Sequence, residues 1–189
     1  MKENFETALK FILADEGKFS NLPDDKGGPT NLGITLKTLV DYHHHFDYGD
    51  FDRNGDVDIN DIRLLDILEE AAPIYKRYFW DRIRGDDLPG GLDYVIFDSA
   101  VNHGPRNAAI ILQRAIGRWD HSFLIDGIIG DETIQAAVKW GSGILWPDIV
   151  KERDLFYRKI VARDLSQEVF LKGWLNRLAR VVVNTRQFV

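Results

Sequence analysis

The chain has 189 residues, 44% of them hydrophobic and 29% charged, with no cysteine and a formal net charge of −6. That length and composition build a packed core in one domain or two small lobes and exclude a disordered chain, while the lack of cysteine excludes disulfides, a thiol nucleophile and cysteine-bound zinc. The acidic balance disfavours general nucleic-acid binding, and no apolar run approaches the roughly 18–20 residues of a membrane span.

In chain order, "MKENFETALKFILADEG" mixes acidic residues with spaced apolar ones, unlike a signal peptide. Synthesis in a cytoplasm is expected, with another agent needed for release. Phe5, Leu9, Ile12 and Leu13 follow the spacing of an amphipathic helix ending near Glu16. Residues 17–33 gather glycine and proline among polar residues and read as a structured loop with a small hairpin. Thr35 is placed to cap a second helix, "LKTLVDYHHHF", through Phe46. Its three consecutive histidines, His43 to His45, point about 100° apart and cannot share a metal, so they read as a helix end. "INDIRLLDILEEAAPIYKRYFWDRI" reads as helix, with Pro73 as a break or as the first turn of a new one. After a connector at 84–91, "LDYVIFDSAVNHG" is helical to Gly104, and "PRNAAIILQRAIG" starts with proline and stops with glycine. "DGIIGDETIQAAVKWG" gives a turn with Asp131 as cap, and 147–163 and 168–186 read as two long closing helices. The expectation is a mainly α fold of seven or eight helices, with no repeat.

Charge is unevenly spread. Residues 41–70 hold ten acidic and two basic residues, and 151–189 hold nine basic and four acidic. The basic tail reads as a solvated helix face. The acidic block contains "DFDRNGDVDIND", residues 50–61, which fits a twelve-residue EF-hand loop position by position. Asp50, Asp52 and Asn54 fall where side-chain oxygens reach one hard cation. Gly55 falls at the sharp turn, Asp56 where the backbone carbonyl binds, and Val57 at the apolar anchor. Asp58 binds directly or through water, and Asp61 closes the loop. Aspartate at the last position is shorter than the usual glutamate, so calcium binding in the range of roughly 10⁻⁵ to 10⁻³ M is expected. A single loop without a methionine-rich groove reads as structural, not sensory. The competing reading is a solvated acidic turn.

Glu16 raises a separate question. A carboxylate at a helix C-terminus opposes the helix dipole, and a glycine-rich loop follows it. Glycosidic cleavage needs an acid for the leaving oxygen and usually a second carboxylate nearby, beside backbone that can approach a sugar. Glu16 with Asp25 and Thr30 meets that need. The plainer readings are a helix-end residue for Glu16, a turn residue for Asp25 and a hydroxyl bonded to backbone for Thr30.

"EGKFSNLPDDKGGPTNLGIT" resembles the Glu-Gly-Gly…Asp-x-Gly-Gly-x-Thr-Asn-x-Gly-Ile-Thr signature of the glycoside hydrolase family 108 N-acetylmuramidases, lysozyme-like enzymes common among phage endolysins. Lys18 departs from it, standing where the family often has a second glycine. "AAPIYKRYFWDRI" is similar to the family's Ala-x-x-Ile-Tyr-x-x-x-Tyr-Trp segment. "FDSAVNHGPRNAAIILQRAIG", "DGIIGDETIQA" and "FLKGWLNRL" resemble the predicted peptidoglycan-binding region that follows it. The resemblance spans 5–180 apart from the calcium-type loop, which looks like an insertion.

The resemblance implies a lysozyme-like fold, with residues 1–90 a catalytic lobe and 91–189 a helical peptidoglycan-binding-like lobe packed with it as one unit. It implies Glu16 as the catalytic acid. The spacing to Asp25 and Thr30 is similar to the acid–aspartate–threonine arrangement of muramidase-type phage lysozymes, one residue short in the second gap. Asp25 would then stabilise the cationic sugar or activate water, and Thr30 would position that water. Asn102 is expected to hydrogen-bond an N-acetyl sugar, or to be a plain helix-end residue. Tyr78, Trp80 and Trp174 are candidates for stacking on sugar rings, or core. The expected protein is a monomeric endolysin that cleaves the β-1,4 bond between N-acetylmuramic acid and N-acetylglucosamine in bacterial peptidoglycan. It would act on the cell wall after release, with structural calcium, no organic cofactor, no nucleic acid and no stable membrane insertion. The alternatives are a non-catalytic peptidoglycan-binding module, a dockerin-like calcium scaffold and a lytic transglycosylase.

Overall fold

The computed structural model of the protein describes residues 4–21, 28–65 and 67–188, with residues 67 and 68 described by backbone alone. The fold is mainly α. Its first helix, α1 (Asn4–Asp15), buries Phe5, Ala8, Leu9 and Ile12, whose spacing of three and four puts them on one helix face. The chain divides into two compact units. Leu9–Arg77 forms one, and the start of α1 through Ala8 with Tyr78 onward forms the other.

In the 9–77 unit, β1 (Thr30–Asn31) and β2 (Ile34–Thr35) pair antiparallel, Thr30 opposite Thr35 and Asn31 opposite Ile34. The two turn residues, Leu32 and Gly33, have φ of 49° and 72°, the type I′ geometry that suits the twist of a hairpin. Thr35 caps α2 (Leu36–Phe46), its hydroxyl accepting from the Thr38 N–H at 3.1 Å. The histidines at its end are half-buried at His43 and exposed at His44 and His45. The helical segment expected to break or restart at Pro73 is two helices divided elsewhere, α3 (Ile59–Leu64) and α4 (Ile67–Tyr75). The break lies near Leu65, and Pro73 sits inside α4. Buried Asn31 explains the stop: its Nδ2 donates to Ile62 O at 2.9 Å and Leu65 O at 2.8 Å, satisfying carbonyls that a helix end leaves free. The irregularity that follows Pro73 is a π-helical turn over Lys76–Trp80, a common way to absorb a disturbed ladder.

In the other unit, α5 (Leu92–His103) is buried at every position from Leu92 to Ala100, as a central helix must be. It packs on α6 (Pro105–Gly117), α6 packs on α7 (Asp131–Arg163), and α7 on α8 (Glu168–Asn184). Asp131 is the first residue of α7 and Gly130 occupies the cap position; the Asp131 carboxylate instead accepts from Arg84 at 2.5 Å. The helix expected from 147 starts earlier, just past Gly141, whose non-helical backbone (φ 70°, ψ 168°) divides α7 into two segments and leaves Pro147 within the second. No described helix is long and apolar enough to cross a membrane.

A charge cluster lies inside this unit. Fully buried Asp98 accepts from Arg153 Nη2 at 2.6 Å and Arg177 Nε at 3.0 Å. Burial pushes the Asp98 carboxyl up, but Arg153 and Arg177 pull it further down, so it lies below the usual range. His103 packs on Phe156 and Tyr157, with ring centroids 4.6 and 5.1 Å away. Burial, and then the Arg153 charge, lower its pKa from 6.5 to about 3, against the pull of Asp98. Between those values the unfolded chain holds one more proton than the folded one, so stability is lost as pH falls through that window. Urea denaturation from pH ~6 down to pH ~4 should show a loss of about 1.4 kcal/mol per pH unit from this residue. His103→Phe should lack that component; an unchanged slope would show that His103 is not its source.

Candidate active site

Glu16 is the first residue after α1, and it is half-buried. Its neighbour Gly17 accepts on its carbonyl from the Leu32 N–H at 3.1 Å, which ties the helix end to the hairpin turn. The Leu32 carbonyl accepts in turn from the hydroxyl of buried Tyr75 at 2.7 Å. Between these bonds the Glu16 carboxylate lies over Gly33. A Cβ built on Gly33 would stand 2.8 Å from Glu16 Oε2 and 2.7 Å from the Tyr75 hydroxyl. Gly33 therefore serves twice, by its positive φ and by the space that it leaves.

Thr30 stands on β1, with its N–H and carbonyl paired to Ser20 at 2.9 and 2.8 Å. The backbone positions it. Asp25 lies outside the described residues. Glu16, Gly33 and Tyr75 thus form the observed group. Tyr75 and Gly33 were not singled out as functional, although both stand in quoted motifs, "AAPIYKRYFW" and "NLGIT". Their roles depend on a contact between segments, which no local pattern carries.

The sugar-contact candidates sit in the other unit. The Asn102 side chain donates from Nδ2 to Asp98 O at 3.1 Å, the helix-end arrangement, and is half-buried. Tyr78 is half-buried in the π-helical turn, and Trp174 is half-buried against Tyr157 and Phe170. Trp80 is 0% exposed. It packs edge-on to Phe5 and Phe97 and donates from Nε1 to Asp86 Oδ1 at 3.1 Å. With no open face, the indole is a core residue and not a stacking platform; aromatic size favours burial once the N–H has a partner.

The acidic loop forms a second constellation. Carboxylate oxygens of Asp50, Asp52 and Asp61 lie within 4.8 Å of one another. Backbone amides hold them: Asp50 accepts from Asn54 and Gly55, and Asp52 from Asn54. Asp61, 0% exposed, accepts from Phe51, Asp52 and Asp58 at 2.6–3.2 Å. Asn54 accepts from Asp56 N, and Asp58 turns its carboxylate to Asn60 N as cap of α3. The side chains of Asp50, Asp52 and Asp61 converge, whereas Asp58 serves the helix end. Partial loss of water and the nearby Asp61, Asp50 and Asp58 push the Asp52 carboxyl above its ordinary range, against the Asn54 amide. Three acidic oxygens so close together suit a hard cation with oxygen ligands.

Gly33→Ala should destabilise the protein by about 1–3 kcal/mol, through positive-φ strain and the clash with Tyr75 and Glu16. Tyr75→Phe, which removes the hydroxyl and with it the bond to Leu32 O, should cost about 1 kcal/mol. Denaturant titration checks both; an alanine variant as stable as the parent would remove the turn from its proposed role.

Residues 9–104 match the family model for glycosyl hydrolase 108, and residues 107–179 match one described as a predicted peptidoglycan domain. The protein is similar to the solved structure of SagA from Brucella abortus, at 28% identity with a TM-score of 0.75, over 100% of this chain and 97% of that one. No curated protein matches the sequence. The first match takes in Glu16, Thr30, Gly33, Tyr75 and the acidic loop, so the chain belongs to the glycosyl hydrolase 108 family and is a glycoside hydrolase acting on peptidoglycan.

Proposed function

We propose that the protein is an N-acetylmuramidase of the endolysin type, cleaving the β-1,4 bond between N-acetylmuramic acid and N-acetylglucosamine. The observation that carries this reading is the Glu16 carboxylate, half-buried past the end of α1 and lying over the side-chain-free surface of Gly33 beside the Tyr75 hydroxyl. A glycosidic oxygen needs a fixed carboxylic acid, and the close packing of Glu16 over Gly33 supports that role. In the protonated form Glu16 gives its proton to the leaving oxygen as the bond to the anomeric carbon breaks. Water held by Thr30 attacks that carbon and yields its proton to Asp25. A reducing end results.

Purified peptidoglycan should lose turbidity with the wild type, while Glu16→Gln should be slower by about 10²–10⁴-fold at unchanged thermal stability. Clearance by the glutamine variant would sink the assignment. New ends that are anhydro sugars instead of reducing ones would move the enzyme to the lytic transglycosylases.

By the same reading, the 50–61 loop holds one structural calcium ion. Asp50, Asp52 and Asp61 supply carboxylates, with further oxygens from Asn54, Asp56 and Asp58. Support comes from the convergence of three like charges, which repel one another unless a cation joins them. At calcium about fifty times above its Kd, the melting temperature should rise by roughly 5–10 °C over that in chelator. Asp50→Asn/Asp52→Asn should abolish the rise. Equal melting temperatures of the wild type with and without calcium would refute the site.

A further inference from the structure

Along α6, Asn107, Ile110 and Arg114 recur at the spacing of one helix face. Opposite them on α7 stand Phe156, Lys159, Ile160 and Arg163, and together the two sets line a cavity of about 380 Å³. Its volume lies within the ordinary range of ligand pockets. The wall chemistry divides cleanly. Ile110, Phe156 and Ile160 supply apolar surface, while Arg114, Lys159 and Arg163 supply three positive charges and no residue of the lining is acidic.

Those charges lack partners. In the same unit Arg84, Arg118, Arg153, Arg158 and Arg177 all form ion pairs with Asp or Glu. Among the described residues, Arg114, Lys159 and Arg163 form none. In a chain of net charge −6, three unpaired cations around one concavity are a local feature and not a consequence of composition. Three like charges gathered around one concavity add their pull on an anion, and a guanidinium matches a carboxylate with two parallel bonds. Asn107 is fixed beside them by its Nδ2–H to His103 O at 2.7 Å.

Every residue of this lining falls within the region that matches the predicted peptidoglycan domain. In peptidoglycan the N-acetylated glycan is largely uncharged, and the negative charge resides in carboxylates of the stem peptide. We propose that the α6–α7 pocket holds the stem peptide, with its carboxylates at Arg114, Lys159 and Arg163 and its aliphatic side chains against Ile110, Phe156 and Ile160. This inference rests on peptidoglycan being the substrate. It adds a peptide-reading site, away from Glu16 in sequence, to the glycan-cutting one.

The test is calorimetric titration of the full chain with the free peptide L-Ala–γ-D-Glu–meso-diaminopimelate–D-Ala at low salt. The same peptide with its carboxylates amidated and inorganic phosphate are titrated in parallel. The wild type should bind the acidic peptide, weakly if at all the amidated one, and Arg114→Gln/Lys159→Gln/Arg163→Gln should bind it about tenfold or more weakly. Circular dichroism and peptidoglycan clearance establish that the variant is folded. Equal binding by the variant, or no peptide binding by a wild type that still clears peptidoglycan, overturns the pocket and leaves the hydrolase reading intact. Phosphate binding in place of the peptide overturns the peptide assignment in favour of a phosphate-bearing wall polymer. Peptide binding without clearance counts against the hydrolase reading alone.

Discussion

Leu32 gives its N–H to Gly17 O and takes the Tyr75 hydroxyl on its own carbonyl. The end of α1, the hairpin turn and the end of α4 therefore meet at one residue. Neither bond can form unless the turn adopts positive φ at both central positions, which costs most residues of the order of 1 kcal/mol or more. At the second position glycine removes that cost and also the atom that would collide with Glu16. A single backbone geometry thus decides where the carboxylate lies. The short hairpin has too few ladder bonds to hold this arrangement alone. Asn31, anchored on two carbonyls near the end of α3, supplies the tertiary tie.

Two buried aspartates show how the donors around a carboxyl, set against burial, decide its state. Asp93 accepts from Asn4 Nδ2 and from the Gly91 and Tyr94 amides, yet burial outweighs these neutral donors and its pKa is raised. Asp98 faces two guanidinium groups, and its pKa is lowered despite complete burial. The contrast between Asp93 and Asp98 follows from the donors: full charges recover more of the lost hydration than dipoles do. Removing either arginine would leave a buried charge without compensation, which is why such clusters are costly to break even where they contribute little net stability.

Much of the fold was legible because its signals are local. Thr35 as cap, Phe46 as helix end, and the Pro105 start and Gly117 stop of α6 all depend on a few adjacent residues. The misread boundaries depend on distant ones. Asn31 ends α3 from thirty-one positions away, so Pro73 attracted a break that belonged near Leu65. Gly141, with its non-helical backbone, separates the two segments of α7, and the second starts just past it instead of at Pro147 because the proline is tolerated near the start of a helix. At the candidate site, the place of Glu16 at a helix end and the crowding of carboxylates in the acidic loop were readable from spacing and residue type. Tyr75 was not, since its hydroxyl reaches a partner forty-three residues away. Trp80 was left open between stacking and core for a related reason: helical spacing of aromatics cannot say which face is covered.

Helix α7 carries both solutions to the problem of placing cations in a protein. On its inner face Ile149, Arg153 and Tyr157 recur every four residues and are buried, and there the guanidinium must find a carboxylate because an unpaired charge in that position would cost several kcal/mol. On the adjoining face Phe156, Lys159, Ile160 and Arg163 reach an open cavity, where water satisfies the cations and no such pressure operates. Pairing on the inner face is thus imposed by folding, whereas lack of pairing on the outer face is only permitted by it. Folding accounts for the fixed partner of Arg153 and is silent about the free charges of Lys159 and Arg163. With the basic face gathered around apolar walls instead of spread along the helix, the physical constraint left to explain it lies in what the cavity admits.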